Sequence, residues 1–457
     1  MIGLEILRPG FSGTQNDKKS IMKNYIYKCF DCGKTYNKDE IEKNLIYLCP
    51  SCGTIGKNLP LRGVLLIEYD YEAIKKKYKK KEFLKLQPGR FWQYNLLWPL
   101  NSEKRSDKES NKNKVRDSSF VLSGLTQNDM NKISLPSNCL LKYSFEGNNF
   151  FVLDDTRNPT LSFKDRASSL VALKAKELGI KEIAAASTGN AGSSLAGICA
   201  RLGLKSIIFV PKLIPEAKRI QIQSYGAEIY LVDGDYDLAF DTCLEISAEK
   251  KIYNRNTGYN PLTIEGKKSA AFDIFMTTKG KMPDLIFIPT GDGVVLSGLY
   301  KGLWELKELG WIKKLPKLMA VQAEGSNAVV RYMNNQKFEY MPAKSIADSI
   351  SAGAPRCLYM TYDAIIKTKG EPIQVSDTEI LEAQKFVAQN YGILIEPSSS
   401  STFAAYKKYI AQNKLHKQTA LLLFTGNGLK DTSALKSWNP NIEPSSPQLL
   451  KEKLFRK

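Results

Sequence analysis

Between residues 140 and 424 the chain repeats one unit: a short apolar run, a loop built on glycine, and an amphipathic stretch at helical spacing. This alternation constrains the fold more than any other feature, because parallel strands can be joined only through a crossover, usually helical. Residues 182–186 read as a buried strand running into Ser187-Thr188-Gly189-Asn190-Ala191-Gly192, with a helix over 193–202. Strands at 206–210 and 228–232 alternate with a helix from Pro215 and another over 236–248. A second cycle has a helix over 265–277, a strand at 285–288, the loop Thr290-Gly291-Asp292-Gly293-Val294, a helix over 295–309 and a strand at 318–322. Residues 392–396 lead to a helix from Ser401, and 420–424 enter Thr425-Gly426-Asn427-Gly428. Runs at 140–143 and 150–153 resemble a hairpin ahead of these units. The expectation is an α/β fold with open, mostly parallel sheets, whose ligands bind at the carboxyl ends of the strands where the glycine loops sit.

Ahead of this core lies Cys29-Phe-Asp-Cys32-Gly33, and sixteen residues after Cys32 comes Cys49-Pro-Ser-Cys52-Gly53. Four soft thiolates in two CxxC pairs at this spacing suit a tetrahedral zinc site, and a full set of four leaves no open position for catalysis. The metal is therefore expected to be structural, in a ribbon over residues 24–60. Residues 61–119 form a docking segment and polar insertion: 61–71 is strand-like, 74–81 is a basic helical run, and Phe91, Trp92, Tyr94, Leu96, Leu97, Trp98 and Leu100 are too apolar for a linker. Residues 101–119 lack apolar periodicity and are expected to form a loop or disordered insertion. The core spans 120–440, and 441–457 form a tail.

Composition narrows the function classes. A single histidine, His416, excludes a multi-histidine metal site. The net charge of +19 allows nucleic acid or an anionic substrate as partner, but a basic run is more often a solvated face, and nucleic acid is not expected. The first thirteen residues lack a secretory apolar core, and the uncharged stretch 183–200 is interrupted by Ser187, Thr188, Gly189, Asn190, Ser193 and Ser194. No membrane span is expected, and a cytoplasmic setting suits cysteines used as ligands or free thiols.

The turn Asn158-Pro159-Thr160-Leu161-Ser162-Phe163-Lys164-Asp165-Arg166 precedes a helical pattern of Ala167, Leu170, Val171, Ala175 and Leu178, closed by Gly179. Ser162 is the expected N-cap. Lys164 would then sit in the first turn, where the helix dipole disfavours an ammonium and favours a lysine used for its nitrogen chemistry. An isolated lysine is usually solvated, so the distinction rests on the other loops. Residues 291–295 offer backbone amides and a helix start to a phosphate, and the 187–190 loop offers hydroxyls and an amide to a carboxylate or phenolic oxygen. Together with Thr425-Gly426-Asn427-Gly428, these are the parts of a pyridoxal phosphate site with Lys164 as its attachment point.

These motifs, in this order over about residues 120–435, resemble those of the threonine synthases, in the tryptophan-synthase-β-like (fold-type II) class of pyridoxal phosphate enzymes. The family's lysine motif NPTGSFKDR is matched at 158–166, its Ser/Thr-Gly-Asn loop at 188–190, and its TGHGLKD at 425–431, with Ile395-Glu396-Pro397-Ser398 also similar. The resemblance implies two lobes, the smaller spanning about 158–258, with the cofactor between them. It implies conversion of O-phospho-L-homoserine and water to L-threonine and phosphate, with Lys164 carrying the cofactor and moving protons. Asn190 would lie near the cofactor's ring hydroxyl, Gly291, Asp292, Gly293, Val294 and Val295 at its phosphate, and Thr425 at its ring nitrogen. Ser187, Thr188, Gly189, Asn190, Ala191, Asn256, Thr257 and Thr263 would face the substrate.

Three positions depart from the family pattern. Leu161 stands where glycine is usual. Asp292 puts a carboxylate in the phosphate loop, so it must point away or be paired. Thr263, in Asn260-Pro261-Leu262-Thr263-Ile264-Glu265-Gly266, replaces an arginine that in the family helps hold the substrate phosphate, leaving Arg255, Lys267, Lys268 or Arg356 to compensate. Readings that compete are another enzyme of this class (β-replacement on phosphoserine or serine, or threonine/serine ammonia-lyase) and a non-catalytic zinc ribbon that binds nucleic acid. A phosphorylated amino acid is the expected small-molecule partner, and the chain is compatible with a homo-oligomer.

Overall fold

The computed structural model describes residues 25–455, apart from 91–92, 94–96, 101, 105–119, 123–128, 130–131, 137–139, 413 and 416. The sequence expectations for residues 1–24, Phe91, Trp92, Tyr94, Leu96 and His416 fall outside the described residues. Two open sheets form the body of the chain. The larger has six strands in the order β14-β13-β12-β15-β7-β6. These are β6 (Leu140–Phe145), β7 (Asn148–Asp154), β12 (Leu285–Pro289), β13 (Lys317–Ala323), β14 (Glu371–Val375) and β15 (Ala420–Phe424). All its pairings are parallel except the β6–β7 hairpin at one edge. The smaller is wholly parallel, in the order β10-β9-β8-β11. Its strands are β8 (Glu182–Ala186), β9 (Lys205–Pro211), β10 (Glu228–Val232) and β11 (Tyr253–Asn254). Every residue of β12 and β15 is buried, which is why these strands read as continuous apolar runs rather than alternating ones.

Three helices pack closely beside the larger sheet. The Leu262–Thr277 helix is buried from Leu262 to Met276. It meets the Asp165–Glu177 helix at Gly266, where a Cβ would lie 2.4 Å from the Arg166 carbonyl oxygen. It meets the Val294–Glu308 helix at Gly298, where a Cβ would lie 2.6 Å from Lys267 Cβ. Any side chain at either glycine would push these helices apart, so both contacts depend on its absence.

The ribbon strands β1 (Tyr25–Cys29), β2 (Thr35–Asn37) and β3 (Leu65–Tyr69) form an antiparallel sheet docked on that helix layer. Tyr69 Oη donates to Glu265 and Tyr71 Oη to Glu305, both at 3.1 Å. Glu265 and Glu305 are buried with Lys268 and Lys301 in one ion cluster. Leu97, Trp98 and Leu100 are buried, as their apolar character requires. The basic run forms helices Tyr71–Lys77 and Lys80–Phe83, and Lys80 Nζ donates to the Trp311 carbonyl at 2.8 Å, so part of this charge is used for docking.

The structure corrects several sequence expectations. The segment expected to be a loop or disordered insertion holds β4 (Ser102–Lys104), paired antiparallel with β5 (Phe120–Leu122). The helix expected from Glu265 starts at Leu262, which puts Thr263 in its first turn. The helix expected from Ser401 starts at Pro397, with proline at N1 where its missing N–H costs nothing, and just before it Ile395 makes an isolated bridge to Asn427. β14 went unread because Pro372 argues against a strand, and the structure places it at the sheet edge, where proline is tolerated. The Asp377–Tyr391 helix that follows carries a readable signal, a Ser376/Glu379 capping box.

Candidate active site

Lys164 lies in the turn that leaves β7. Its backbone is already helical, and it flanks the Asp165–Glu177 helix as a cap with no side-chain capping bond. Ser162 is not the N-cap: the helix begins later, and the buried Ser162 hydroxyl has no hydrogen-bond partner. The turn is held instead by Asp165, whose carboxylate accepts from the Thr160 amide at 2.7 Å and from the Thr160 hydroxyl. Behind it, the fully buried Arg166 guanidinium bonds Asp155 through Nε at 2.6 Å and Nη2 at 2.8 Å, and Asp273 through Nη1 at 2.5 Å. This charge-assisted clamp, forked on the Asp155 side, anchors the start of the helix that follows Lys164. Leu161 has a left-handed backbone, φ 66°, which explains the family's glycine there and makes leucine a strained choice.

The late motifs close on this turn. Phe163 N donates to Thr425 O at 2.8 Å, Asn427 N to Leu161 O at 3.1 Å, and Glu396 N to Gly426 O at 3.0 Å. Ser399 Oγ accepts from both the Thr425 and Gly426 amides. The smaller sheet reaches the same point through Asn190, the first residue of the Asn190–Leu202 helix, whose Nδ2 donates to Glu396 at 2.7 Å and to Ser349 at 2.9 Å. Its buried Oδ1 has no partner. Lys218 also crosses from the smaller lobe, bonding Asp348 at 2.6 and 2.7 Å and lying 3.6 Å from Glu396. Its stem passes Gly189, where a Cβ would be 2.2 Å from Lys218 Cδ.

These elements enclose an open cleft of about 710 Å³ at the carboxyl ends of β8, β12 and β15. Its wall includes Lys164, Ser187, Thr188, Asn190, Ala191, Thr257, Gly291, Asp292, Gly293, Val294, Val295 and Thr425 from the expected set, together with Tyr236, Lys267, Asp348 and Ser398. Gly189, Asn256 and Thr263 are not in that wall. Gly189 instead donates its amide to Ser187 Oγ, and Asn256 accepts from the Ala186 amide and donates to Phe240 O, bracing the end of β8. The Thr263 hydroxyl donates to Asn260 O and accepts from the Gly258 amide, so it is consumed in its own turn. Tyr236, Lys218 and Asp348 have no local pattern that marks them, and each is brought in by a contact distant in sequence; Lys267, one of the four cations weighed against Thr263, does reach the wall.

Residues 291–295 form the glycine loop at which the sequence leads one to expect a phosphate. Gly293, φ 80°, precedes the Val294–Glu308 helix, and no side chain caps that start. A Cβ on Gly293 would lie 2.0 Å from Thr361 Oγ1, so neither backbone angle nor space admits another residue. The Asp292 carboxylate is paired: it accepts from Tyr236 Oη at 2.8 Å and from the Arg356 amide at 3.3 Å.

Burial dominates the site's electrostatics. It holds the Lys164 amine below the ordinary lysine value; Arg255 and Lys218 act the same way, while Glu396 and Asp292 oppose it. Burial pushes the Glu396 carboxyl up, but Lys218, the Ser398 and Asn190 bonds and Lys430 outweigh it, leaving it below the ordinary glutamate value. A half-buried lysine biased toward its nucleophilic form, an uncapped helix start and an unpartnered amide oxygen in one cleft fit an aldehyde cofactor bearing a phosphate.

In fold and site, this defines a two-lobed α/β protein of the fold-type II pyridoxal phosphate class. The pyridoxal-phosphate dependent enzyme family matches residues 140–426. A threonine synthase from Methanocaldococcus jannaschii is 33% identical over 414 residues, covering 90% of this chain and 94% of that one. Another from Bacillus sp. is 38% identical over 295 residues, covering 64% and 79%. The solved structure of O-ureido-L-serine synthase superposes with TM-score 0.58 at 16% identity, covering 72% of this chain and 99% of that one, a likeness of fold. The chain belongs to the pyridoxal-phosphate dependent enzyme family and, within it, to the threonine synthases.

Proposed function

We propose that this protein converts O-phospho-L-homoserine and water to L-threonine and phosphate in the cleft between its two lobes. The observation that carries the reading is the convergence of Lys164, the 291–295 cradle and Thr425 at the strand ends, in a chain that matches a threonine synthase over 94% of that protein's length. Bound pyridoxal phosphate supplies an electron-withdrawing ring that stabilises negative charge on the substrate carbons. Lys164 holds that cofactor in the resting enzyme. The Lys164 nitrogen would accept the Cα proton of the substrate and return protons to later carbons, a role its suppressed basicity suits. The amides at the start of the Val294–Glu308 helix hold the cofactor phosphate. Asn190, fixed by Glu396 and Ser349, would offer its unpartnered Oδ1 to the cofactor's ring hydroxyl, and Thr425 would serve the ring nitrogen. Ser187, Thr188, Ala191 and Thr257 form the substrate wall.

Cys29, Cys32, Cys49 and Cys52 hold a structural zinc ion in this reading. Their sulfurs lie within 4.8 Å of one another, with Cys29–Cys52 at 3.4 Å and Cys32–Cys49 at 3.6 Å. A zinc tetrahedron with 2.3 Å bonds has sulfur–sulfur edges of about 3.8 Å, so the four residues fit. No described cysteine is disulfide-bonded, and no helix among the described residues is long and apolar enough to cross a membrane. A cytoplasmic setting is part of the same reading, with the cysteines serving as ligands or free thiols.

The deciding experiment incubates the holoenzyme with O-phospho-L-homoserine and measures phosphate and threonine. Equimolar formation of both is expected. Absence of turnover, with activity on serine or threonine instead, overturns the substrate assignment.

A further inference from the structure

If position 263 has no guanidinium, some other cation must meet a phosphate in this cleft. The structure separates the four candidates. Lys268 is locked between Glu265 and Glu305. Arg356 pairs with Asp237 at 3.0 Å and Asp241 at 3.4 Å. Arg255 donates to Ser168 and Thr257 and is not in the cleft wall. All four are fully buried, and Arg255, whose Nη2 is also unpartnered, likewise has no described carboxylate within ion-pair distance. Lys267 alone of the four lines the cleft, and its Nζ has no hydrogen-bond partner and no described carboxylate within ion-pair distance.

Its position explains how it could substitute for a residue at 263. Thr263 and Lys267 are one helical turn apart on the same face of the Leu262–Thr277 helix, so the two side chains address neighbouring space. Gly298 lets that helix lie directly on the Val294–Glu308 helix, the one whose start forms the cradle. The charged residues in the cleft wall are Lys164, Asp292, Lys267 and Asp348. Lys164 is assigned to the cofactor, Asp292 bonds Tyr236 and Asp348 bonds Lys218. Lys267 is the remaining ionisable group in that wall, and its charged form, buried without a counter-charge, is expensive to keep.

We propose that Lys267 is the cleft's phosphate-binding cation, its Nζ taking a phosphate monoester dianion beside the 291–295 loop. The proposal rests on the reading above, which brings two such groups to the cleft, one on the cofactor and one on the substrate. Burial, reinforced by Arg255 and Lys164, holds the Lys267 amine well below the ordinary lysine range, so a bound dianion is what restores its charge.

The test compares wild-type holoenzyme with Lys267→Gln. Three quantities are measured: cofactor Kd for the apoprotein by fluorescence quenching, KM against kcat for O-phospho-L-homoserine, and the inhibition constant of inorganic phosphate. Contact with the substrate phosphate raises KM and the inhibition constant at least about tenfold, equivalent to about 1.4 kcal/mol, and leaves cofactor Kd unchanged. Contact with the cofactor phosphate raises cofactor Kd by a similar factor and leaves phosphate inhibition unchanged. If a folded Lys267→Gln protein holds all three within about twofold, or about 0.4 kcal/mol, the proposal is overturned. Should that variant not fold, acetylation of Lys267 in the wild type, followed by mass spectrometry, takes its place. Inorganic phosphate or cofactor is expected to slow the labelling, and a rate indifferent to both overturns the proposal. Absence of wild-type turnover would defeat the substrate assignment alone, since cofactor affinity and labelling still report on Lys267.

Discussion

Glu396 joins the two lobes beside Lys164, which makes Glu396→Gln a demanding test of the site. The carboxylate accepts from Asn190 Nδ2 at 2.7 and 2.9 Å and from Ser398 Oγ at 2.7 Å, with Lys218 Nζ at 3.6 Å. A hydrogen bond to a charged group contributes about 1.5–3 kcal/mol, against about 1 kcal/mol for a neutral one. Neutralising the acceptor of two donors therefore costs about 1–4 kcal/mol. Lys218 keeps Asp348, so the loss at that pair falls well short of the roughly 3–5 kcal/mol of a fully broken buried pair. The expected destabilisation is about 2–3 kcal/mol by urea unfolding at neutral pH. The pH dependence has a definite sign. Because the folded-state pKa is depressed, the stabilisation is fully present above the unfolded glutamate value of about 4.3 and is lost as pH falls below it through the folded pKa. The Gln variant should lack this acid-sensitive component. A loss below about 0.5 kcal/mol, with an unchanged acid limb, would refute the clamp.

Other perturbations probe separate parts of the structure. Lys164→Ala should abolish the visible absorbance of lysine-attached cofactor and turnover with it; a band that persists means another lysine carries the cofactor. Gly293→Ala places a Cβ 2.0 Å from Thr361 Oγ1 at φ 80°, so cofactor affinity measured on the apoprotein should fall at least about tenfold. Leu161→Gly relieves a left-handed backbone that costs about 1–2 kcal/mol, offset by about 0.5–1 kcal/mol of glycine entropy, and should raise unfolding free energy by up to about 1 kcal/mol. Elemental analysis should find one zinc per chain, and Cys29→Ser should lose it; a full zinc complement in that variant would exclude this ligand set.

Much of this protein was readable from sequence because the relevant physics is local. Strand–loop–helix alternation, the two CxxC pairs, the 291–295 cradle and the turn at Lys164 each depend on backbone within a few residues. The errors at Ser162 and at the start of the 262–277 helix have a local origin too: several polar residues can begin a helix, and tertiary contacts choose among them. At Ser162 the choice went to the Asp165–Thr160 bonds.

Tertiary structure decided the rest. Lys267 and Lys268 are adjacent in sequence and chemically identical, yet one lines the cleft without a partner and the other is buried between two glutamates. Asn190 and Glu396 are 206 residues apart, and Lys218 meets Asp348 across 130. Sequence by itself determined where a cofactor could be held, because a glycine turn and an uncapped helix start are properties of the local chain. Which cations remain available for a phosphate depended on which carboxylates the folded lobes bring within reach, and that is set by packing between distant segments.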